Sequence, residues 1–120
     1  MSENGQKVIA AVRRIAAEQP GKTYVAPRTT SYVPQCVYVL NGAASCLVGH
    51  GLWDAGLIAA DFEDCDFNCT GIEYVDDFEI DRKERTWLAY AQDAQDRGET
   101  WSTAVSEADH RAALDAMVNA

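Results

Sequence analysis

The chain has 120 residues, 48% of them hydrophobic, and a formal net charge of −9. This length and composition are typical of one globular domain with a core of its own, and they argue against a second domain. No run approaches the roughly 18 consecutive apolar residues that a membrane span needs, and residues 1–22 lack the apolar centre of a signal peptide. We therefore expect a cytoplasmic protein whose cysteines are reduced.

The negative charge is concentrated in the middle of the chain. Residues 53–81, here called the acidic segment, contain ten acidic and no basic residues, whereas residues 1–52 contain five basic and two acidic residues. Such a segment repels phosphate backbones, which argues against nucleic-acid binding, and it attracts a cation or a basic protein surface. The alternative is that these carboxylates only keep the protein soluble.

Helical periodicity predicts the first element over residues 7–18, where apolar side chains recur at three- and four-residue spacing. Pro20 and Gly21 follow as a stop signal. The prolines, serine and threonines of residues 20–35 then indicate an extended, irregular segment.

A β-hairpin is predicted next. Residues 36–40 are rich in β-forming side chains, and Asn41-Gly42 suits a tight turn in which both residues have positive φ. Residues 43–44 would form the short return strand.

A helix is predicted to follow this hairpin, with Ser45 as its N-cap and its last turn at Ala55. Gly56 would take the C′ position. Gly49 and Gly51 weaken a helix, so we expect them to allow close packing of the helix backbone against another element.

Regular structure is hardest to predict in the acidic segment, where only residues 72–75 suggest a short strand. Asp81 and Glu84 have the spacing of a capping box and predict the start of a helix that ends at Gly98.

The last helix is predicted to begin near Thr100, because apolar residues recur from there at helical offsets. Those residues are Trp101, Ala104, Val105, Ala108 and Ala112. Together the elements predict a single small α+β domain over residues 1–120, with three to four helices packed on a short antiparallel hairpin or small sheet. Residues 61–81 are expected to be acidic and rich in loops.

A first candidate site would bind zinc, because thiolate and imidazole are the ligands that Zn²⁺ prefers. Cys46 and His50 lie four residues apart and would share one helix face. No Cys-x₂-Cys pair occurs, however, and cysteine is often buried as a small hydrophobe. The candidate ligands are Cys36, Cys46, His50, Cys65 and Cys69.

A second candidate site would bind calcium. Asp66, Asn68, Thr70 and Asp77 occupy positions 1, 3, 5 and 12 of an EF-hand-type loop, with Gly71 at position 6. Position 5 is usually Asp or Asn, and position 12 is usually a bidentate Glu. The alternative is an Asp- and Asn-rich surface turn.

Catalysis is a third alternative, since Cys46 would sit at a helix N-terminus with His50 one turn later. No orienting carboxylate or oxyanion donor can be assigned, and the chain has no phosphate-binding Gly loop. We therefore expect a protein that is not an enzyme and has no cofactor. The three tryptophans are expected to build the core, although an exposed aromatic residue beside the acidic segment could anchor a protein partner.

Two stretches resemble small proteins of actinobacteria and their bacteriophages. Residues 36–52 (CVYVLNGAASCLVGHGL) resemble a hairpin that enters a Cys-Leu-x-Gly helix in this group, and residues 87–105 (WLAYAQDAQDRGETWSTAV) resemble its C-terminal helical half. The resemblance implies no established activity and assigns no catalytic residue. It does imply an accessory role in a host cytoplasm.

These features favour a non-enzymatic module that modulates a host by binding a protein with a basic surface, and they predict neither nucleic-acid nor membrane binding. The alternative is a metal-binding protein with structural zinc or calcium. The predicted partner-binding residues are Asp61, Glu63, Asp64, Asp66, Asp76, Asp77 and Glu79.

Overall fold

The computed structural model describes residues 2–25 and 37–118 of the chain. Within them, four helices are α1 (Glu3–Glu18), α2 (Leu47–Asp54), α3 (Arg82–Asp96) and α4 (Trp101–Val118), and a hairpin joins β1 (Val39–Leu40) to β2 (Ala43–Ala44). Three 3₁₀ turns connect α2 to α3: Ala60–Asp64, Asp66–Cys69 and Ile72–Tyr74. The predicted small α+β fold, with helices around a two-stranded antiparallel sheet, is confirmed.

Helix α1 confirms the helix predicted over residues 7–18 but begins earlier, at Glu3. The Ser2 hydroxyl caps it by accepting a hydrogen bond of 3.1 Å from the Gly5 amide. The apolar face of α1 is buried, with Val8 and Val12 fully inaccessible to solvent.

The hairpin is confirmed at its turn. Asn41 and Gly42 both have positive φ, 54° and 78°, as a primed two-residue turn requires. Val39 pairs with Ala44 and Leu40 with Ala43. The first strand is shorter than predicted, and Cys36, its expected first residue, lies outside the described residues.

Helix α2 is capped by Cys46 and not by Ser45, because the Cys46 Sγ accepts a hydrogen bond of 3.3 Å from the Gly49 amide. The predicted close packing is confirmed at both glycines. A Cβ at Gly49 would overlap the Tyr38 carbonyl, and one at Gly51 would overlap Val12 of α1. Gly56 follows the helix with φ 79°.

The strand predicted at residues 72–75 is wrong, since the backbone forms a 3₁₀ turn at Ile72–Tyr74. The Ile72 amide donates to Gln92 Oε1 of α3 at 3.1 Å and not to the hairpin. The free edge of β1 is occupied by a side chain instead: the Asn68 amide group exchanges two hydrogen bonds with the Val39 backbone, of 2.9 and 3.0 Å.

Helix α3 confirms the helix predicted from Asp81 to Gly98, but the capping box is wrong. Asp81 holds the N-cap position without a capping hydrogen bond from its side chain. The Glu84 carboxylate accepts from the Ser2 amide at 3.0 Å and from the Ser2 hydroxyl, so it joins α3 to the start of α1.

Helix α4 packs along α3 and begins at Trp101, one residue beyond the predicted start. Trp101, Ala104 and Ala108 are buried as the periodicity predicts, while Val105 and Ala112 are partly buried. Among the described residues, no helix combines the length and the apolar character that crossing a bilayer would require.

Candidate protein-binding surface

The predicted acidic surface is only partly available to a partner. Five of its seven residues are exposed and form no ion pair or side-chain hydrogen bond with any described residue. We use the name acidic face for these five exposed residues, of which Asp61 and Asp77 line one concavity: Asp61, Asp64, Asp66, Asp77 and Glu79.

The other two predicted residues are engaged within the protein. Glu63 is half-buried, and its two carboxylate oxygens accept hydrogen bonds of 2.8 and 2.9 Å from the amides of Asn41 and Gly42. It therefore fixes the hairpin turn to the first 3₁₀ turn. Asp76 forms an ion pair with Arg85 of α3, so its charge is partly compensated within the protein.

A groove of about 510 Å³ lies beside the acidic face. Its lining residues are Gly56, Leu57, Ile58, Ala59, Asp61, Phe62, Cys65, Asp77 and Phe78. The groove thus brings the two halves of the acidic segment together, because Asp61 and Asp77 are sixteen positions apart in sequence and line the same concavity.

The aromatic lining of the groove continues into the core. Phe62 contacts the Tyr38 ring edge-on, with centroids 6.0 Å apart, and its centroid lies 5.8 Å from that of Phe78. Tyr38 is fully buried, and its hydroxyl accepts from Gln92 Nε2 at 3.0 Å and donates to the Thr70 carbonyl at 2.5 Å. The position of Phe62 is therefore determined by packing that reaches from the hairpin to α3.

The zinc candidate is not assembled within residues 2–25 and 37–118, which contain no group of three or more potential ligands of this kind. Cys46 is fully buried and caps α2. Cys65 lines the groove, Cys69 is exposed, and Cys36 lies outside the described residues.

His50, the fifth candidate ligand, is half-buried and packs edge-on against Trp101, with ring centroids 5.5 Å apart. Burial lowers the pKa of the His50 imidazole, and the nearby positive charge of Lys22 lowers it further. Both effects favour the neutral form of the imidazole. Since the Cys46 thiol is shielded from solvent, the proposed Cys46–His50 pair presents no accessible nucleophile.

The calcium loop is not formed either. Asp66 and Asn68 lie on the 3₁₀ turn Asp66–Cys69 and Thr70 follows it, whereas Asp77 lies beyond the next turn, Ile72–Tyr74. The Asn68 side chain is buried, and its oxygen accepts a hydrogen bond from the Val39 amide. It is therefore not placed to bind a cation together with Asp66. Asp77 faces the groove instead.

Sequence reasoning missed the polar side chains that position this surface: Asn68, Gln92 and Gln95. Gln95 is fully buried, and its Oε1 accepts from the Leu47 amide at the start of α2 at 2.8 Å. A signal was present, because both glutamines continue the apolar stripe of α3, at four and seven residues after Leu88. A glutamine in such a stripe indicates a buried backbone group that needs a partner.

Comparison with known proteins gives no match, whether to a protein family, a curated protein or a solved structure. The resemblance to small proteins of actinobacteria and their phages therefore stays a prediction.

Proposed function

We propose that this protein is a non-enzymatic cytoplasmic binding module whose acidic face contacts a basic surface on another protein. Five exposed carboxylates without a described cationic partner support the proposal. They lie in a stretch, residues 29–81, that contains neither lysine nor arginine. A surface of one sign attracts partners of the other sign.

Three arginines outside the acidic segment are bound to acidic residues that also lie outside it. Arg13 makes a bidentate contact with Asp109, through hydrogen bonds of 2.8 and 2.6 Å, and this contact lowers the pKa of the Asp109 carboxyl. Arg97 pairs with Glu107, and Arg111 pairs with Asp93. The acidic face is therefore not neutralised by these side chains.

The resemblance to phage proteins extends the proposal to a host protein as the partner. Closely spaced carboxylates can imitate an array of phosphates and occupy the nucleic-acid-binding surface of such a protein. The acidic face has the charge that this role requires.

A matched pair of variants tests the proposal with a fluorescent ten-residue lysine–serine peptide as the basic probe. The first variant, D61N/D64N/D66N/D77N, removes four charges from the acidic face. The control variant, E3Q/E18Q/D93N/D96N, removes four exposed charges elsewhere, so that both variants have the same net charge.

The wild type and the control should bind the peptide with similar affinity, and binding should weaken between 50 and 300 mM salt. The acidic-face variant should bind about tenfold more weakly, since exposed ion pairs contribute about 0.3–0.5 kcal/mol each. Equal loss in the two variants would show that net charge alone governs binding, and no binding by the wild type at 50 mM salt would refute the proposal.

A further inference from the structure

The groove joins apolar and acidic chemistry at one place. We propose that it binds a short segment of the partner in which an apolar side chain lies next to a lysine or arginine. This inference rests on the proposed function and specifies the partner for it.

Part of the groove lining is apolar. Leu57 and Phe62 are partly buried against the core, while Ile58 and Phe78 are buried, with 7% and 6% of their surfaces accessible. The groove is open, and its exposed lining combines this apolar surface with polar surface. A groove of about 510 Å³ has room for a few side chains of an extended peptide and not for a folded domain.

The charged part comes from Asp61 and Asp77, which line the same groove and pair with no described cation. A purely apolar peptide would remove water from these carboxylates without replacing its hydrogen bonds, which is unfavourable. Lysine and arginine avoid this cost, because their methylene stems pack on apolar surface while their charged ends reach a carboxylate. The occupant that fits both chemistries is therefore a basic segment with an apolar side chain.

A second copy of this chain fits less well. The exposed apolar residues Leu114, Met117 and Val118 at the end of α4 could enter the groove. Asp115 lies among them in α4. The only arginine or lysine of that helix, Arg111, is already paired with Asp93 and stacked on Tyr90. Self-association would thus place another carboxylate near Asp61 and Asp77.

Three fluorescent ten-residue peptides test whether the groove prefers a segment that is both basic and apolar. In each peptide two residue types alternate: lysine and leucine, lysine and serine, or glutamate and leucine. The lysine–leucine peptide should bind at least fivefold more tightly than the lysine–serine peptide, and the glutamate–leucine peptide should not bind. The D61N/D77N variant should bind the lysine–leucine peptide about fivefold more weakly than the wild type, and more weakly than D64N/D66N does. The control E3Q/E18Q, with two exposed charges removed from α1, should bind like the wild type.

The outcomes separate the groove from the acidic face as a whole. If both lysine peptides bind equally and the two aspartate variants lose the same affinity, the groove is not the site, although the proposed function stands. If neither lysine peptide binds, both proposals are refuted.

The Cys65 thiol supplies an independent test, because it lines the groove. A C36S/C69S variant retains two cysteines, Cys46 and Cys65. Cys46 is fully buried, so alkylation of this variant reports on Cys65. Saturation with the lysine–leucine peptide should slow the alkylation at least fivefold. An unchanged rate at saturation would overturn the inference, and a rate that falls with protein concentration in the absence of peptide would overturn it in favour of self-association.

Discussion

The helical core and the acidic segment are stabilised in different ways. The four helices bury continuous apolar faces against one another, and α2 approaches α1 and the hairpin so closely that its two glycines leave no room for a methyl group. The acidic segment contains three 3₁₀ turns and no long apolar face. Scattered apolar side chains such as Ile72, Val75 and Phe78 anchor it in the same core, and single polar side chains bind its backbone to its surroundings. Asn68, Glu63 and Gln92 provide these contacts.

The difference follows from composition. Ten carboxylates interrupt the apolar residues of this stretch, so its buried side chains follow no helical or strand period, and some of its backbone groups find their partners on the rest of the protein. The shape of the acidic face therefore depends on residues that are not part of it. The two regions should respond differently to substitution.

The largest effect is expected from Gly49→Ala in the helical core. The new methyl group would overlap the Tyr38 carbonyl, a backbone atom that cannot rotate away. We expect a loss of about 3 kcal/mol in the free energy of unfolding, measured by denaturant titration, although alanine is the better helix former. Gly21→Ala is the control, because nothing lies within 4 Å of its Cβ position, and equal stability of the two variants would show that the packing is looser than described.

An intermediate effect is expected from Asn68→Ala in the acidic segment. The substitution leaves the Val39 amide and carbonyl without partners in a buried place, at a cost of about 2 kcal/mol. Hydrogen exchange should show a faster rate at the Val39 amide and unchanged protection in α1 and α4. The neighbouring substitution Cys69→Ser, at an exposed position, should leave the exchange unaltered. Uniform loss of protection across the helices would mean that the two regions are not separable.

The smallest effect concerns pH and the helical core. Because the pKa of His50 is lowered in the folded state, the unfolded chain takes up a proton at this side chain more readily than the folded chain does. The contribution of His50 therefore lowers the free energy of unfolding as the pH falls from about 7.5 to 5.5. We expect Tm to decrease by a few degrees at most over this range, and His50→Gln should reduce the decrease. His110→Gln, at an exposed position, should retain it, and identical pH profiles for the two variants would contradict the assignment.

The sequence predicts those parts of the fold that depend on local patterns. Apolar periodicity identified the helices that became α1, α3 and α4, and Asn41-Gly42 identified the hairpin turn. Close packing at Gly49 and Gly51 was also foreseeable, because a glycine in a helix interior is costly without a structural reason.

Errors arose where a distant residue takes over a local role. Asp81 and Glu84 have capping-box spacing, but the Glu84 carboxylate binds Ser2, eighty-two positions away. Residues 72–75 have strand-forming side chains, but Asn68 already occupies the edge of β1. The sequence does not predict the groove for the same reason, since folding brings Phe62 and Asp77, which are distant in sequence, to the same groove.

The contact between Asn68 and Val39 has one more consequence. Asn68-Cys69-Thr70 matches the acceptor triplet for N-linked glycosylation, in which the sugar is attached to the side-chain nitrogen of the asparagine. In the folded protein that nitrogen is buried and donates to the Val39 carbonyl at 3.0 Å. A glycan could be added only before the chain folds, and once attached it would prevent the hairpin from docking on the acidic segment.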